Sequence, residues 1–194
     1  MPYYKNESAI VDKGAIVGKD TKIWHWSHIC SGAKIGVNCS IGQNVYVASL
    51  VSIGDGVKIQ NNVSIYDGVT LQDNVFCGPS VVFTNVINPR SRVSRKDEFR
   101  STLIKEGASL GANSTIICGI VVGKYAFIGA GSLVTKDIRD YALMVGSPAI
   151  QVGWMSEDGG KIDLPLDSKG EHIIGKCPLT GDKYRLIDNK LCKK

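Results

Sequence analysis

Asn85 stands just ahead of a stretch crowded with cations: Arg90, Arg92, Arg95, Lys96 and Arg100 all fall within residues 89–103. An amide beside several guanidinium groups suits a ligand that carries phosphate or carboxylate, because the planar guanidinium fork pairs bidentately with such oxyanions. Arg90 and Arg95 either grip a diphosphate or carboxylate or belong to a solvated charged loop. Asn85 either holds and polarises reacting groups or caps the turn that opens the stretch. Other polar side chains recur at a fixed distance. His25, Gln43 and Asn61 are 18 residues apart, and so are Asp67 and Asn85. His25, flanked by Trp24 and Trp26, is either a base or sugar contact or a satisfied structural histidine. Asp67 is a ligand contact or a turn acid. Tyr66 is a ring contact to a ligand or surface packing.

The chain that positions these groups has a period. Isoleucine, leucine or valine, with one Cys and one Phe, recurs every sixth residue from Ile23 through Ile29, Ile35, Ile41, Val47, Ile53, Ile59, Ile65, Leu71 and Cys77 to Phe83. The series resumes at Ile104 and runs through Leu110, Ile116, Val122 and Ile128 to Val134. Two earlier units start at Ile10 and Ile16, followed by one inserted residue. Glycine often follows the apolar residue, as in Ile53-Gly54 and Leu110-Gly111, and a small or β-branched residue usually comes four after it. Neither a helical period of 3.6 nor simple alternation gives this pattern, so the chain is a solenoid. The step from Phe83 to Ile104 carries 15 extra residues, a long insertion of the kind that usually serves function.

Units such as Ile53-Gly-Asp-Gly-Val-Lys58 and Ile59-Gln-Asn-Asn-Val-Ser64 resemble the hexapeptide repeats of acyltransferases built on a left-handed parallel β-helix. The resemblance implies an all-β fold in which each hexad is a short flat strand plus a turn. Three hexads make one triangular coil, and the aliphatic residue points inward. Handedness comes from the resemblance alone. Residues 10–139 then make about six coils within a domain of residues 1–150, interrupted by the loop at 89–103. Val145-Gly-Ser-Pro-Ala149 resembles the family's signature where the chain leaves the coil near coenzyme A. Residues 151–194 form a small C-terminal extension. With 18 residues per coil, His25, Gln43 and Asn61 stack on one corner, about 4.8 Å apart, and Asp67 and Asn85 on another.

A narrower resemblance covers nearly the whole chain. Trp24-His25-Trp26, Lys58-Ile-Gln-Asn-Asn62, Tyr66-Asp67, Cys77-Gly-Pro-Ser80, Phe83-Thr-Asn-Val-Ile-Asn-Pro-Arg-Ser91 and Cys177-Pro-Leu-Thr-Gly-Asp-Lys-Tyr184 resemble bacterial N-acetyltransferases acting on UDP-2-acetamido-3-amino-2,3-dideoxyglucuronate. That resemblance implies acetyl-CoA-dependent acetylation of a 3-amino group, on the route to surface polysaccharide (O-antigen) sugars. It implies a homotrimer with sites between subunits and Asn85 as the catalytic amide. Substrate contacts would come from His25, Gln43, Asn61, Tyr66, Asp67, Arg90 and Arg95. Acetyl-CoA would lie along Ala112, Gly119, Ala130, Ser147 and Pro148, with Lys136 toward its phosphates. No metal is expected. Zinc carbonic anhydrases of this fold need three histidines, and His25, His28 and His172 do not meet by this spacing. Cys177 and Cys192 alone do not complete a tetrahedral zinc site.

Bulk properties agree with a small anionic ligand. The net charge is +5, and no basic stripe interleaved with aromatics points to nucleic acid. No apolar run approaches the ~18 residues of a membrane span, and Met1-Pro-Tyr-Tyr-Lys-Asn-Glu-Ser8 lacks an apolar signal segment. A cytoplasmic location is expected. The six cysteines have no disulfide-framework spacing, and Cys77 is expected in the core.

Overall fold

The hexad explains the fold residue by residue. In Lys58-Ile59-Gln60-Asn61-Asn62-Val63, Lys58 and Ile59 form a two-residue strand, with Lys58 outward and Ile59 inward. Gln60 to Asn62 turn the corner, and Val63 points back inside. The computed structural model describes residues 3–194, and this unit repeats along most of it. The result is a left-handed parallel β-helix of triangular section, as the resemblance to hexapeptide-repeat acyltransferases implied.

Three parallel sheets form its faces. The first face begins with Tyr3–Lys5 and Thr21–Ile23, the second with Ile10–Val11 and His28–Ile29, and the third with Ile16–Val17 and Lys34–Ile35. Register runs one coil at a time. Lys22 pairs with Ser40, Ser40 with Lys58, and Lys58 with Phe76. Across the insertion Phe76 pairs with Ser109, so the phase survives the loop. The second face has seven strands and the third has six. These are the six coils expected plus the one that Tyr3–Lys5 opens.

Every predicted inward position from Ile23 to Val134 is buried. The residues four places later, such as Val45, Val57, Val63, Val75 and Ala126, are buried too. Burying one such aliphatic side chain contributes about 1.5–3 kcal/mol. Cys77 lies in this core, fully buried, as expected.

The beginning of the solenoid corrects the reading of the first two hexads. Val11 pairs with Ile29 and Val17 with Ile35, so Val11 and Val17 hold the inward phase. Ile10 and Ile16 face solvent, 56% and 60% exposed. No residue is inserted after Ile16. Each of these hexads offers two adjacent β-branched residues, and only pairing to the next coil chooses between them. The phase in fact reaches back to Lys5, which pairs with Ile23.

The other borders also shift. The loop joins Val82–Phe83 to Thr102–Ile104, whose residues already pair with Val69–Leu71. The inserted segment is therefore 84–101, with one short 3-10 turn at Lys96–Glu98. At the far end, the strand Ile150–Met155 crosses the proposed boundary between 150 and 151. It pairs antiparallel with Ala142–Val145 and extends the first face. Residues 173–193 add a separate three-stranded antiparallel sheet. A second core of Tyr141, Trp154, Ile162, Tyr184, Leu186 and Leu191 binds this sheet to the last coil. Tyr141 donates to Glu157 Oε1 at 3.1 Å, and Tyr184 accepts the Glu157 N–H at 3.0 Å.

Candidate functional site at two corners of the prism

The corner between the first and second faces carries one row of the predicted residues. Backbone bonds climb it coil by coil. Asn44 N donates to His25 O at 2.9 Å, Asn62 N to Gln43 O at 3.0 Å, and Ser80 N to Asn61 O at 3.0 Å. The row continues through Asn113 N to Pro79 O at 3.0 Å and Gly131 N to Ala112 O at 2.8 Å. His25, Gln43, Asn61, Ala112 and Ala130 thus share one edge. Ser147 and Pro148, both exposed, follow at its end, where Gly146 O accepts from Leu133 N at 3.0 Å.

The turn demands a left-handed residue next to this row. Trp26, Asn44, Asn62, Ser80, Asn113 and Gly131 all have φ between 54° and 68°. Asparagine and glycine tolerate this region, and Asn44 Nδ2 also bonds Asn62 Oδ1 at 3.0 Å. Trp26 is the outlier. A bulky side chain held there costs on the order of 1–3 kcal/mol, and its indole is 64% exposed. Strain of this kind collects at ligand sites. Pattern reading reached Trp26 only as a flank of His25, because positive φ is invisible in the hexad.

Beside Trp26, the first coils form a cavity of about 290 Å3 lined by Trp24, His25, Gln43 and Asn61. His25 stacks on Trp24 at 6.4 Å, and its Nε2 lies 3.2 Å from Asn6 Nδ2. Asn61 Oδ1 accepts the Gln43 N–H at 2.9 Å, so its oxygen is engaged by the coil before it.

The corner between the second and third faces carries the rest. Asp67 Oδ1 caps the coil before it, accepting Leu50 N at 2.9 Å. It acts as a turn acid, and among the described residues its second oxygen makes no hydrogen bond. Tyr66 is 40% exposed and packs on Tyr46, ring centroids 6.2 Å apart. Asn85 is half-buried where the chain leaves for the loop. Its backbone carbonyl accepts Arg100 N at 3.0 Å, closing the neck of the loop. Among the described residues its side-chain amide makes no hydrogen bond, so the neck is held by backbone. Cys118 N donates to Thr84 Oγ1 at 2.9 Å, and Gly119 N to Thr102 Oγ1 at 3.2 Å. Lys136 stands one coil past Cys118 on the same edge, exposed.

The loop cations are not equivalent. Arg95 is committed to Glu98, its Nη1 donating at 2.8 and 2.9 Å to the two carboxylate oxygens. Arg90 is exposed and, among the described residues, reaches only the carbonyl of Pro89, at 3.2 Å. Arg100 is tied to the neck by its own backbone. Its stem lies over Gly119, where an added Cβ would meet Arg100 Cδ at 3.1 Å. Arg100 was read only as one of several loop charges. Its link to Asn85 arises from loop closure, which spacing does not reveal.

The predicted residues therefore fall on two edges of one face. The outward side chains between them on the strands of that face are Ile10, His28, Tyr46, Ser64, Val82, Thr115 and Leu133, none a Lys, Arg, Asp or Glu. By contrast, Lys22 and Lys58 project from the first face and Lys34 from the third. Within one chain, the small-residue edge of Ala112 and Ala130 and the Asn85 edge do not meet.

Comparison with known proteins fits this geometry. Residues 14–49 and 101–136 match the family described as bacterial transferase hexapeptide (six repeats), and residues 32–67 match the hexapeptide repeat of succinyl-transferase. The chain is 44% identical over 188 residues to dTDP-3-amino-3,6-dideoxy-alpha-D-galactopyranose 3-N-acetyltransferase of Aneurinibacillus thermoaerophilus, covering 94% of both chains. Two solved structures share the fold. A hexapeptide-repeat acetyltransferase of Vibrio cholerae O1 biovar eltor, complexed with acetyl coenzyme A, superposes with a TM-score of 0.57 at 24% identity, over 64% of this chain and 72% of that one. The polySia-specific acetyltransferase NeuO gives 0.55 at 17% identity, over 77% and 80%. Repeat, fold and full-length similarity together place this chain among the hexapeptide-repeat acyltransferases.

Proposed function

We propose that this chain uses acetyl-CoA to acetylate the 3-amino group of a nucleotide-linked sugar, and that the sugar is UDP-2-acetamido-3-amino-2,3-dideoxyglucuronate. The observation that carries the reading is the second corner. There a half-buried amide with no hydrogen-bond partner among the described residues, Asn85, is joined through its backbone to an arginine-bearing loop. The relative from Aneurinibacillus, similar along almost its full length, acts on a 3-amino group of a dTDP-linked sugar. The two substrates share the diphosphate and the amine. The uronate carboxylate is the difference, and the loop supplies more cations than one diphosphate needs, even with Arg95 held by Glu98.

In this reading the neutral sugar amine attacks the carbonyl carbon of the acetyl thioester. The C–N bond forms, the C–S bond breaks, and the amine proton passes to the departing sulfur. Asn85 aligns the amine or donates to the developing oxyanion. No histidine is needed as base, and His25 on the other corner contacts the substrate. Acetyl-CoA lies along Ala112 and Ala130, whose short side chains leave the backbone accessible, and runs toward Ser147 and Pro148.

Those groups sit across the second face from Asn85, so the reading requires a second copy. The face free of formal charge packs in a homotrimer, which sets the Asn85 edge of one subunit against the alanine edge of the next. Steady-state kinetics of Asn85→Ala test the proposal. Turnover should fall at least about 100-fold, as when an oxyanion donor is lost, while acetyl-CoA binding by calorimetry is retained. Unchanged turnover at saturating substrates would make Asn85 a structural residue.

A further inference from the structure

The start of the second face holds a cluster that acetyl transfer leaves unused. Asp12, His28 and Cys30 each present one ligand atom, and the three atoms lie within 4.8 Å of one another. His28 Nε2 is 3.2 Å from Asp12 Oδ1. Asp12 Oδ2 accepts the Ser31 N–H at 3.3 Å, which fixes the carboxylate plane. The ring of His28 rests edge-on against Tyr46, centroids 5.9 Å apart. Cys30 is 9% exposed. As an ion pair alone, His28 and Asp12 would contribute little, since both side chains are more than a third exposed.

The donor set is selective. Thiolate, imidazole and carboxylate together suit zinc-class ions, whereas magnesium and calcium want oxygen only. Ligand bonds of about 2.0–2.3 Å place donors of one tetrahedron roughly 3.3–3.7 Å apart. The His28–Asp12 pair, at 3.2 Å, is within about 0.1 Å of that range, and with all three atoms within 4.8 Å the sulfur needs a shift of no more than about 1.5 Å to reach it. Three protein ligands from one chain leave a fourth position open.

The placement gives such a site a purpose. Asp12 belongs to the first coil, His28 and Cys30 to the second. The first coil is the open end of the prism. Its inward residues are Val11 and Val17, only partly buried, and Lys5 stands where later coils have isoleucine. We propose that Asp12, His28 and Cys30 bind one divalent ion of the zinc class per chain, clamping the first coil onto the second. The thiol proton of Cys30 is released to solvent as the metal–sulfur bond forms. The ion takes no part in acetyl transfer, since Asn85 lies several coils away.

Cobalt(II) titration of the reduced, metal-free full chain tests this. One equivalent should produce a thiolate-to-cobalt charge-transfer band with tetrahedral visible bands, and one equivalent of zinc should abolish both. Cys30→Ser should lose the charge-transfer band, and His28→Ala should bind at least about tenfold more weakly. Cys192→Ser should behave as the parent. Hydrogen exchange should slow at the amides of Ile10 and Ile16, which bond the second coil, when zinc is added. The proposal is overturned if the parent gives no charge-transfer band, if Cys30→Ser keeps it, if Cys192→Ser loses it, or if exchange in the first coil does not respond.

Discussion

Gly111→Ala should destabilise the protein by about 3 kcal/mol. A Cβ at position 111 would lie 2.5 Å from Ala130 N, 2.6 Å from Ile128 O and 2.7 Å from Gly129 C. All three are backbone atoms of the next coil, so no side chain can swing away. Relief requires the coils to part, and two bonds of 2.8 Å resist it, Gly111 N to Ile128 O and Gly131 N to Ala112 O. Weakening two backbone bonds costs about 0.5–1.5 kcal/mol each, and overpacking a close-packed site adds about 1–3 kcal/mol. At roughly 2–4 °C per kcal/mol for a chain of this size, the midpoint should drop about 6–12 °C. Urea denaturation followed by far-UV circular dichroism, at one fixed protein concentration because assembly couples to stability, gives the number. Gly131→Ala is the control. It has φ of 68° but nothing within 4 Å, so only the left-handed backbone is penalised, about 1 kcal/mol. If Gly111→Ala costs no more than Gly131→Ala, the close approach of the coils at this corner is wrong.

Trp26→Asn should raise stability by about 1 kcal/mol in the same assay, because asparagine accepts the φ of 55°. It should also weaken nucleotide-sugar binding if the strained indole is kept for the ligand, and a loss of stability would show that its packing on His25 outweighs the strain. Ile59→Ala removes a 1%-exposed core side chain and should cost about 2–5 kcal/mol. Thiol labelling should be strongly ordered. Cys192 is exposed, whereas burial pushes the Cys77 thiol up to about 12, which keeps it protonated and unreactive at pH 8. Mass spectrometry should find iodoacetamide on Cys192 first and on Cys77 only after unfolding.

The period made the fold legible. From Ile23 to Val134 each inward residue follows from a count of six, and the stacking of His25, Gln43 and Asn61 follows from three such units. The count became ambiguous where two β-branched residues stand side by side, at Ile10-Val11 and Ile16-Val17. There register with the next coil decided, and register is a contact between distant residues. The same limit applies to the site. Spacing within the repeat put residues on the correct edges, but loop closure brought Arg100 to Asn85 and turned Arg95 to Glu98. The Asp12, His28 and Cys30 cluster escaped for a related reason. His28 sits mid-strand while Asp12 and Cys30 sit at a corner, so no single phase joins them. The tail was readable only as an irregular segment. Its fold rests on Trp154 and Tyr184, which belong to no repeat.

Release of free thiol from acetyl-CoA tests the central claim most directly. Three acceptors are compared at fixed ionic strength: UDP-2-acetamido-3-amino-2,3-dideoxyglucuronate, its uncharged 6-hydroxymethyl counterpart, and dTDP-3-amino-3,6-dideoxygalactose. A charge-assisted pair to the carboxylate contributes roughly 1.5–3 kcal/mol, so kcat/KM should favour the uronate over its uncharged counterpart by at least about tenfold. The UDP-uronate should also exceed the dTDP sugar. Equal specificity constants for the first two acceptors would contradict the carboxylate reading, a preference for the dTDP sugar would reassign the substrate, and no thiol release from any nucleotide amino sugar would contradict the acetyltransferase account itself.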